Sequence, residues 1–379
     1  MNTIVENPFF VTGYFGPLYF CDRETETEQL IRLLKNNNNI TLFALRRMGK
    51  TGLLYHVMEQ LQKDNKTVCL YLDIFPTQNL SQFTNQLASE IYRKFPPTKG
   101  IGKKIGELIT SLRPTISYDA LSGIPEISLD FKQEKQYERT ILQLLEFLDT
   151  QNKPIIIAID EFQQILEYPE KNIEATLRTI IQNLKNIRFV FCGSNQLIMN
   201  DLFNNAKRPF YASCQHVSLG SIPKEKYIPF IQKHFISHKK QLSEECILFI
   251  LDWAKGHTYY VQYLCNQVFA LVGKKIELEQ VQLVCKEVMQ RNESIYYQYR
   301  NLLTATQWNL LKAIAKDELV YQPYAKEFIN NYKLDSSSIV KRSLESLLEK
   351  EMIYQETNLE GSYYAVYDKF LMRWMQWKF

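Results

Sequence analysis

The chain has 379 residues, which is long for a single hydrophobic core and favours two or three domains. Hydrophobic residues make up 45% and charged residues 23%, an ordinary balance for a globular protein, and the formal net charge is +4. A charge this small excludes a strong overall electrostatic attraction to nucleic acid. No run of about 18 apolar residues occurs and the N-terminus lacks a signal-peptide pattern, so we expect a cytoplasmic protein without membrane contact.

The seven cysteines are scattered, and none of them forms a CxxC pair. Several lie inside apolar runs, as Cys69 does in VCLYL and Cys192 in FVFCG. This pattern favours reduced thiols in the core over zinc ligands or disulfides.

Short apolar runs alternate with longer helical patterns between residues 40 and 220. The runs are rich in Ile, Val and Phe and lack polar alternation, which is typical of parallel strands buried on both faces. They read ITLFAL (40–45), TVCLYLDI (67–74), PIIIAID (154–160), RFVFCGS (188–194) and HVSLG (216–220). The alternation predicts an α/β doubly wound domain over residues 1–222.

Residues 96–135 interrupt this alternation. They carry PPTKG, then a basic stretch with a helical pattern, and then RPTISYDALSGIPEISLD. The last piece predicts two short strands around a Gly-Pro turn, which we expect to form a hairpin inserted at the edge of the sheet. Its role is either that of a flap or partner surface, or no more than decoration of the fold.

The pattern becomes purely helical after Pro223 and stays so up to about residue 300. Residues 301–379 then predict three helices followed by two strands that flank a turn, which is the order of a winged helix-turn-helix. In the third of these helices we expect Ile339, Leu344 and Leu347 to face the core. Lys341 and Arg342 are expected on its exposed side.

The segment ALRRMGKT, residues 44–51, follows the first predicted strand and opens a helix, and we call it the phosphate loop. It matches GxxxxGK[ST] except that Ala44 replaces the first glycine. Backbone amides at a helix N-terminus bind phosphate, and Gly49 lets the backbone approach it closely. We expect Lys50 to contact the β- and γ-phosphates and the Thr51 hydroxyl to bind Mg²⁺.

Most of this loop and the residue after it are candidates for nucleotide contact. The set is Arg46, Arg47, Met48, Gly49, Lys50, Thr51 and Gly52. Arg46 and Arg47 would either contact phosphate or pair with acids elsewhere in the chain.

The predicted strand PIIIAID ends in Asp160 and is followed by Glu161, which is the form of a Walker B motif. Asp160 can hold hydrated Mg²⁺, and Glu161 can orient and deprotonate the attacking water. Two acids at a strand end are common by themselves, but here they follow the phosphate loop by about 110 residues on another α/β unit. The two motifs together predict an enzyme that binds ATP and Mg²⁺ and hydrolyses ATP, with Glu161 and Lys50 as catalytic residues.

Four further candidates carry open alternatives. Ser194 and Asn195 end the next strand, where they would either sense the γ-phosphate or form a simple turn. Arg208 would either act as a catalytic, charge-stabilising finger, in its own subunit or across a subunit interface, or serve as a structural arginine. His257 opens a helix and would either face the nucleotide or cap that helix.

These motifs in combination resemble those of the archaeal-type P-loop ATPases, a family also common in bacteria, within the signal-transduction branch of the AAA-like superfamily. The resemblance runs over nearly the whole chain. The segments that carry it are FCDRE (20–24), RRMGKT (46–51), Asp160-Glu161, FCGSN (191–195), RPFY (208–211), GHTYYVQ (256–262), TATQWNLLKAIA (304–315) and YDKFLMRW (367–374). It implies an ATPase core with sheet order 5-1-4-3-2, a helical lid over 223–300 and a C-terminal winged helix over 301–379.

The resemblance also implies roles for single residues. Three residues would lie near the adenine or ribose: Asp22, Arg23 and Glu24. Relatives often have Gly-Arg where this chain has Ala212-Ser213, so an arginine sensor would have to come from Arg208. Thr258 replaces the proline that is usual in the lid motif, which leaves the lid contacts open.

The charge of the winged-helix segment bears on its partner. Residues 301–379 carry ten basic and ten acidic residues, whereas a protein that binds duplex DNA usually concentrates positive charge. Glu345 and Glu349 also lie one turn apart on the third helix. The sequence therefore favours a protein partner over DNA.

The leading hypothesis is an ATP-hydrolysing switch whose nucleotide state repositions the winged helix. One alternative is a DNA-binding regulator gated by ATP, and another is a scaffold that binds nucleotide without turnover. The sequence leaves homo-oligomerisation open.

Overall fold

The structure is a computed structural model that describes residues 6–63, 66–96, 101–112, 114–119, 123–131, 133–151 and 153–379. The chain divides into two compact units. The core unit is Thr12–Ser221, and the C-terminal unit is Ile222–Phe379 together with the described residues 6–11.

The core unit alternates strands and helices, as the sequence pattern predicts. Its described strands are β1 (Ile40–Phe43), β2 (Val68–Asp73), β3 (Thr115–Tyr118), β4 (Pro125–Ser128), β5 (Ile155–Asp160), β6 (Ile187–Gly193) and β7 (Gln215–Ser218). Its described α-helices are α1 (Glu24–Lys35), α2 (Lys50–Gln62), α3 (Leu80–Lys94), α4 (Ile101–Ser111), α5 (Glu134–Asp149), α6 (Ile173–Gln182) and α7 (Gln196–Asn204).

Five of these strands form one sheet in the order β2-β5-β6-β1-β7, and all its neighbouring pairs are parallel. The hairpin strands β3 and β4 lie outside this sheet. The strand numbers used here therefore differ from those in the order that the resemblance implies, which counts only the strands of the sheet. Counted within the sheet and read from the β7 edge, the order is 5-1-4-3-2. The chain therefore has the α/β fold with a parallel sheet that the sequence predicts.

Both faces of the sheet are covered, which explains the unbroken apolar strands. Every residue of β5 is buried. Ile157 and Phe189 belong to one core cluster with side chains of α3, α5 and α6. Ala158 and Val190, one residue further along each strand, belong to a second cluster with side chains of α1 and α2. The site described below lies at the end of β5, on the α2 side.

The segment 96–135 contains the predicted hairpin, but the hairpin is not where the sequence places it. Strands β3 and β4 pair with each other as a separate antiparallel sheet and do not extend the described five-stranded sheet. The backbone amides of Ile127 and Leu129 donate to Ser89 Oγ and Asn85 Oδ1 of α3, so α3 covers the outer edge of β4. Much of the PPTKG segment (97–100) and part of the predicted turn (120–122) lie outside the described residues.

The C-terminal unit is largely helical. Its described helices are α8 (Lys224–Ser237), α9 (Glu244–Trp253), α10 (Thr258–Phe269), α11 (Leu278–Arg291), α12 (Glu293–Leu302), α13 (Ala305–Asp317), α14 (Lys326–Asn331), α15 (Ser337–Glu349) and α16 (Lys369–Lys378). Its strands are β8 (Gln241–Leu242), β9 (Lys275–Ile276), β10 (Ile353–Asn358) and β11 (Gly361–Val366). Among the described residues, none of the helices combines the length and the apolar composition that a bilayer crossing requires.

Helices α13, α14 and α15 followed by the antiparallel pair β10–β11 confirm the predicted winged-helix order. Two details differ from the prediction. Val340 rather than Ile339 joins Leu344 and Leu347 in the core, because Ile339 is only half-buried. Helix α16 follows the wing and was not predicted as a helix, and its Trp374 is fully buried.

The beginning of the chain packs with the C-terminal unit, whereas the sequence prediction placed it with the core at 1–222. Phe9 is buried, with its ring centroid 5.4 Å from that of Phe235 and 5.8 Å from that of Phe269. Asn266 Nδ2 donates to the Phe9 carbonyl oxygen over 2.8 Å. These contacts explain why residues 6–11 belong to this unit.

Candidate nucleotide-binding site

The phosphate loop connects β1 to the first residue of α2, Lys50. Gly49, which precedes the helix, has φ 90° and ψ 18°, in the left-handed region that favours glycine. Its carbonyl accepts the Leu53 amide over 2.9 Å and so starts the helix. Ala44 is fully buried and is not among the described residues with positive φ, so a methyl group at this position causes no backbone strain.

Lys50 lies between the two carboxylates that end β5. Its Nζ is 2.9 Å from Asp160 Oδ1 and 3.4 Å from Glu161 Oε1. Burial opposes the charged form of Lys50, but the carboxylates of Asp160 and Glu161 dominate and raise its pKa above the ordinary value. The structure thus brings together the loop lysine and both predicted acids, across 110 residues of chain.

Asp160 is buried and accepts hydrogen bonds at both oxygens. Oδ2 accepts from Thr51 Oγ1 over 3.0 Å and from the Tyr71 hydroxyl over 2.8 Å. Oδ1 accepts from the Glu161 amide over 3.1 Å in addition to its contact with Lys50. Burial acts to raise the pKa of Asp160, but the lysine and these donors outweigh it and lower the pKa, so the carboxylate is charged at neutral pH.

Glu161 is held by donors from the residues that follow β5 and β6. Its φ of 54° is in the left-handed region, which is uncommon for a residue with a Cβ and turns the chain sharply after β5. Its Oε2 accepts from Ser194 Oγ over 2.8 Å, from the Ser194 amide over 3.3 Å and from Gln163 Nε2 over 2.5 Å. Ser194 therefore reaches this site as a donor to Glu161, a contact that neither sequence alternative included.

Gly193 lies close to Gln163, one of the donors to Glu161. A Cβ at this position would lie 2.4 Å from Met199 Cγ and 2.5 Å from Gln163 Oε1. Both distances are shorter than van der Waals contact, so a larger residue would displace Gln163 or Met199.

The oxygens of Thr51 and Asp160 suit a hard divalent cation. Mg²⁺ keeps several waters and takes only one or two protein ligands plus substrate phosphates. Among the described residues, no group of three or more His, Cys, Asp and Glu side chains could hold a metal without such help. A hydroxyl and a carboxylate 3.0 Å apart beside a helix N-terminus therefore fit Mg²⁺ held together with phosphate.

Two residues of β2 belong to this site and were missed by the sequence reasoning. Tyr71 donates to Asp160, and Asp73 lies opposite Asp160 in the register of the sheet. Burial raises the pKa of Asp73, a hydrogen bond from the Phe75 amide opposes this, and the charges of Asp160 and Glu161 raise the pKa further. Both residues stand in the run VCLYLD, which was interpreted as an ordinary buried strand.

The other residues of the loop lie as follows. Arg46 and Arg47 are exposed, and Arg47 has a positive φ of 63°. Met48 is buried in the cluster that includes α1 and α2. A Cβ at Gly52 would lie 3.6 Å from Phe20 Cε2, which is ordinary contact, so this glycine is not required by space.

The predicted adenine-proximal residues lie at the start of α1. Arg23 is 3% exposed, and its guanidinium contacts Glu26 Oε1 over 2.8 Å and the Gly220 carbonyl over 2.6 Å. Asp22 and Arg23 both have positive φ, and Glu24 begins the helix. The Arg23 side chain therefore ties the start of α1 to the segment after β7.

Two of the remaining candidates occupy helix N-cap positions, Asn195 at α7 and His257 at α10. Asn195 caps α7, with its side chain accepting from the Ile198 amide over 3.1 Å. His257 is buried at the N-cap position of α10, in the C-terminal unit.

Arg208 forms an ion-paired cluster of its own. Its guanidinium lies 2.7 Å from Glu174 Oε1 and 2.6 Å from Asp201 Oδ2. These contacts favour the structural alternative for this arginine.

The cysteines agree with the expectation of core thiols. None of the seven is in a disulfide in the described structure; six of them are buried, and Cys214 is half-buried.

A parallel α/β sheet with a lysine-bearing loop before α2 and an acidic pair at the end of β5 defines the class of P-loop nucleotide-dependent ATPase folds. Comparison with protein-family models then places the chain. Residues 20–264 match the model described as an ATPase domain predominantly from archaea, and the chain belongs to this family. Residues 294–377 match a second model, described as a probable winged helix domain. No curated protein sequence matches the chain.

Several solved structures share the fold. A Walker-type ATPase of Pyrococcus abyssi is 16% identical, with a TM-score of 0.67 over 97% of this chain and 99% of that one. The ORC2 protein of Aeropyrum pernix in its ADP form is 14% identical, with a TM-score of 0.54 over 97% of each chain. The ORC1 protein of the same organism, in complex with DNA, is 13% identical, with a TM-score of 0.50 over 96% of this chain and 94% of that one. At these identities the likeness shows the fold alone.

Proposed function

We propose that the protein binds ATP with Mg²⁺ at the phosphate loop and hydrolyses it. The observation that carries this proposal is the position of Lys50, 2.9 Å from Asp160 and 3.4 Å from Glu161 at the N-terminus of α2. Amides at a helix N-terminus and a lysine suit a triphosphate. Membership of an ATPase family supports the same function.

Each residue of the cluster has a separate task in this proposal. Thr51 and Asp160 would hold Mg²⁺, which neutralises charge on the phosphates when it is bound. Lys50 is placed to exchange carboxylate partners for phosphate oxygens. Glu161 then accepts the proton of the attacking water, with Ser194 and Gln163 fixing the orientation of its carboxylate.

A phosphate-release assay under multiple-turnover conditions tests this proposal and separates it from a scaffold without turnover. We expect phosphate to accumulate well beyond one equivalent per protein with Mg²⁺ present. Release that stops at one equivalent or less would contradict repeated turnover and favour the scaffold.

We further propose that nucleotide state is transmitted to the winged helix, so that the protein acts as a switch. Glu318, after α13, accepts from Lys255 Nζ over 2.7 Å and from Arg373 Nη1 over 2.9 Å. Lys255 precedes Gly256 and His257, which carry the predicted lid motif, and Arg373 also donates to the Trp253 carbonyl over 2.9 Å. This ion-paired cluster joins the α9–α10 connection to the winged helix within the C-terminal unit.

Hydrogen exchange tests the transmission. Exchange in residues 301–379 should differ between Glu161→Gln protein loaded with Mg-ATP and wild type loaded with Mg-ADP. In Glu318→Gln the difference should shrink, because the amide loses the charge that both cations contact. Identical exchange in the two nucleotide states of the parent proteins would contradict the switch.

The surface of the winged helix supports a protein partner over DNA. Leu359, at the tip of the wing, is fully exposed, and Glu360 follows it. Glu345 and Glu349 are exposed on α15 beside Lys341 and Arg342. A wing that meets phosphates would carry positive charge at these places, so the acidic residues favour a protein surface over the DNA backbone.

The likeness to an ORC1 protein solved with DNA keeps the DNA-binding regulator as the second candidate. Titration of a labelled duplex at several salt concentrations decides between them. If the protein binds DNA, the logarithm of the binding constant should fall with the logarithm of the salt concentration, with a slope of about −0.9 per phosphate contacted. A second experiment captures partner proteins with ATP-loaded Glu161→Gln. A protein that is no longer captured when Leu359→Asp is added, but is still captured with the exposed control Leu283→Asp, would support the protein partner.

A further inference from the structure

Tyr71 contacts Asp160, a residue of the proposed Mg²⁺ site, although it belongs to neither the phosphate loop nor the Walker B motif. Its hydroxyl donates to Asp160 Oδ2 over 2.8 Å, and the same oxygen accepts from Thr51 over 3.0 Å. Tyr71 lies opposite Ala158 in the β2–β5 pair, two residues before Asp73, so it is on the same face of the sheet as Asp160. The pairing of β2 with β5 therefore determines the position of the Tyr71 hydroxyl relative to Asp160.

Three side chains in the described part of the chain contact Asp160, and they differ in what else they must do. Lys50 and Thr51 both belong to the phosphate loop, and in the proposed function one is taken by phosphate and the other by Mg²⁺. Tyr71 comes from β2 and has no such task. It is therefore the side-chain donor that keeps its hold on Asp160 while the nucleotide is bound.

The surroundings of Tyr71 keep its ring in place. The ring is half-buried, and its centroid is 4.9 Å from that of Tyr55 on α2. Asp73, beyond it on the same strand face, adds negative charge near Asp160. A neutral donor at this point orients Asp160 without competing with the metal for its charge.

We propose that Tyr71 is a positioning residue that orients Asp160 for Mg²⁺, an inference that rests on the proposed function. Partners of a metal-binding carboxylate typically change metal affinity by about 10- to 100-fold when they are removed. Tyr71→Phe removes the hydroxyl and keeps the ring. Tyr55→Phe is the matched control, because Tyr55 is the neighbouring ring and does not contact Asp160 through any described hydrogen bond.

The test measures the dissociation constant of a fluorescent ATP analogue in Mg²⁺ and in EDTA, which is independent of hydrolysis. We expect Tyr71→Phe to weaken binding about tenfold in Mg²⁺ and by less than about twofold in EDTA, with Tyr55→Phe unchanged in both. Thermal unfolding without ligand checks that each variant is folded.

If Tyr71→Phe binds the analogue in Mg²⁺ as tightly as wild type does, or loses affinity equally in Mg²⁺ and in EDTA, Tyr71 does not position Asp160. Either result would leave the proposed function standing. Wild-type protein that binds no analogue in either buffer would contradict the proposed function itself, and this inference with it.

Discussion

Two places in the core unit have the same composition, a cation between two carboxylates. At one, Lys50 lies 2.9 Å from Asp160 and 3.4 Å from Glu161. At the other, Arg208 lies 2.7 Å from Glu174 and 2.6 Å from Asp201. The first pair of side chains, Lys50 and Asp160, is 8% and 6% exposed, whereas Arg208 and Asp201 are 32% and 41% exposed.

The difference lies in the elements that present these charges. Lys50 begins α2 and faces the end of a buried parallel strand, beside the backbone amides of the first helical turn and the Thr51 hydroxyl. Arg208 follows α7 and bridges it to the first turn of α6, where its partners are side chains of helices. Composition alone does not separate a binding site from a structural ion pair, but the backbone around the charges does.

The largest expected effect is on turnover. Glu161→Gln keeps the size of the side chain and removes the proton acceptor, so the rate should fall by a factor of about 10² to 10⁴. Binding of nucleotide should persist, because the loop is unchanged. Phosphate release is the measurement, and a variant as fast as wild type would show that Glu161 is not the base.

Lys50→Ala should weaken nucleotide binding by about 30-fold or more, corresponding to ~2 kcal/mol or more for truncation of one member of a buried charge pair. The substitution also leaves Asp160 and Glu161 without their cation. Titration with a fluorescent nucleotide measures the effect, and Lys63→Ala, an exposed lysine just after α2, is the control. Equal affinity of both variants would remove Lys50 from the binding site.

Arg208→Ala should cost about 1 kcal/mol of stability or less, because the pair is partly exposed. Turnover should stay within about threefold of wild type. An arginine that stabilises the transition state would instead be worth about 10³- to 10⁵-fold. If Arg208→Ala reduces the rate of phosphate release by such a factor, the Arg208 cluster is catalytic and does not differ in role from the Lys50 cluster.

The smallest effect concerns Asp73, which is exposed but partly desolvated, so that its pKa is raised, with a further rise from the charges of Asp160 and Glu161. A carboxyl with a raised folded-state pKa destabilises the fold above that pKa, and the penalty disappears below the unfolded-state value. Asp73→Asn should therefore raise Tm at pH 7 to 8 by on the order of 1 °C, with the gain fading toward pH 4. Asn can still accept the Phe75 amide, and a gain that grows on acidification would contradict the assignment.

The local signals of the site could be predicted because they are short and adjacent in sequence. Gly49, Lys50 and Thr51 form one turn, and Asp160 follows an unbroken apolar strand. Their meeting could be predicted as well, because parallel strands end at a common edge.

Other features could not be predicted, because they depend on side-chain reach or on distant packing. Tyr71 stands in an apolar run, and only the register with β5 shows that its hydroxyl meets Asp160. Ser194 contacts Glu161 because β6 pairs with β5, which places the residues after the two strands side by side. Phe9 packs on Phe235, more than 200 residues away, and no local pattern indicates such a partner.

The central claim is that a nucleoside triphosphate and its metal are held by the phosphate loop and the acidic end of β5. Isothermal titration calorimetry of the wild-type protein with Mg-ATP tests it most directly. The account predicts a saturable heat with one site per chain that is lost in Lys50→Ala. Heat no greater than dilution for the folded wild-type protein would contradict it.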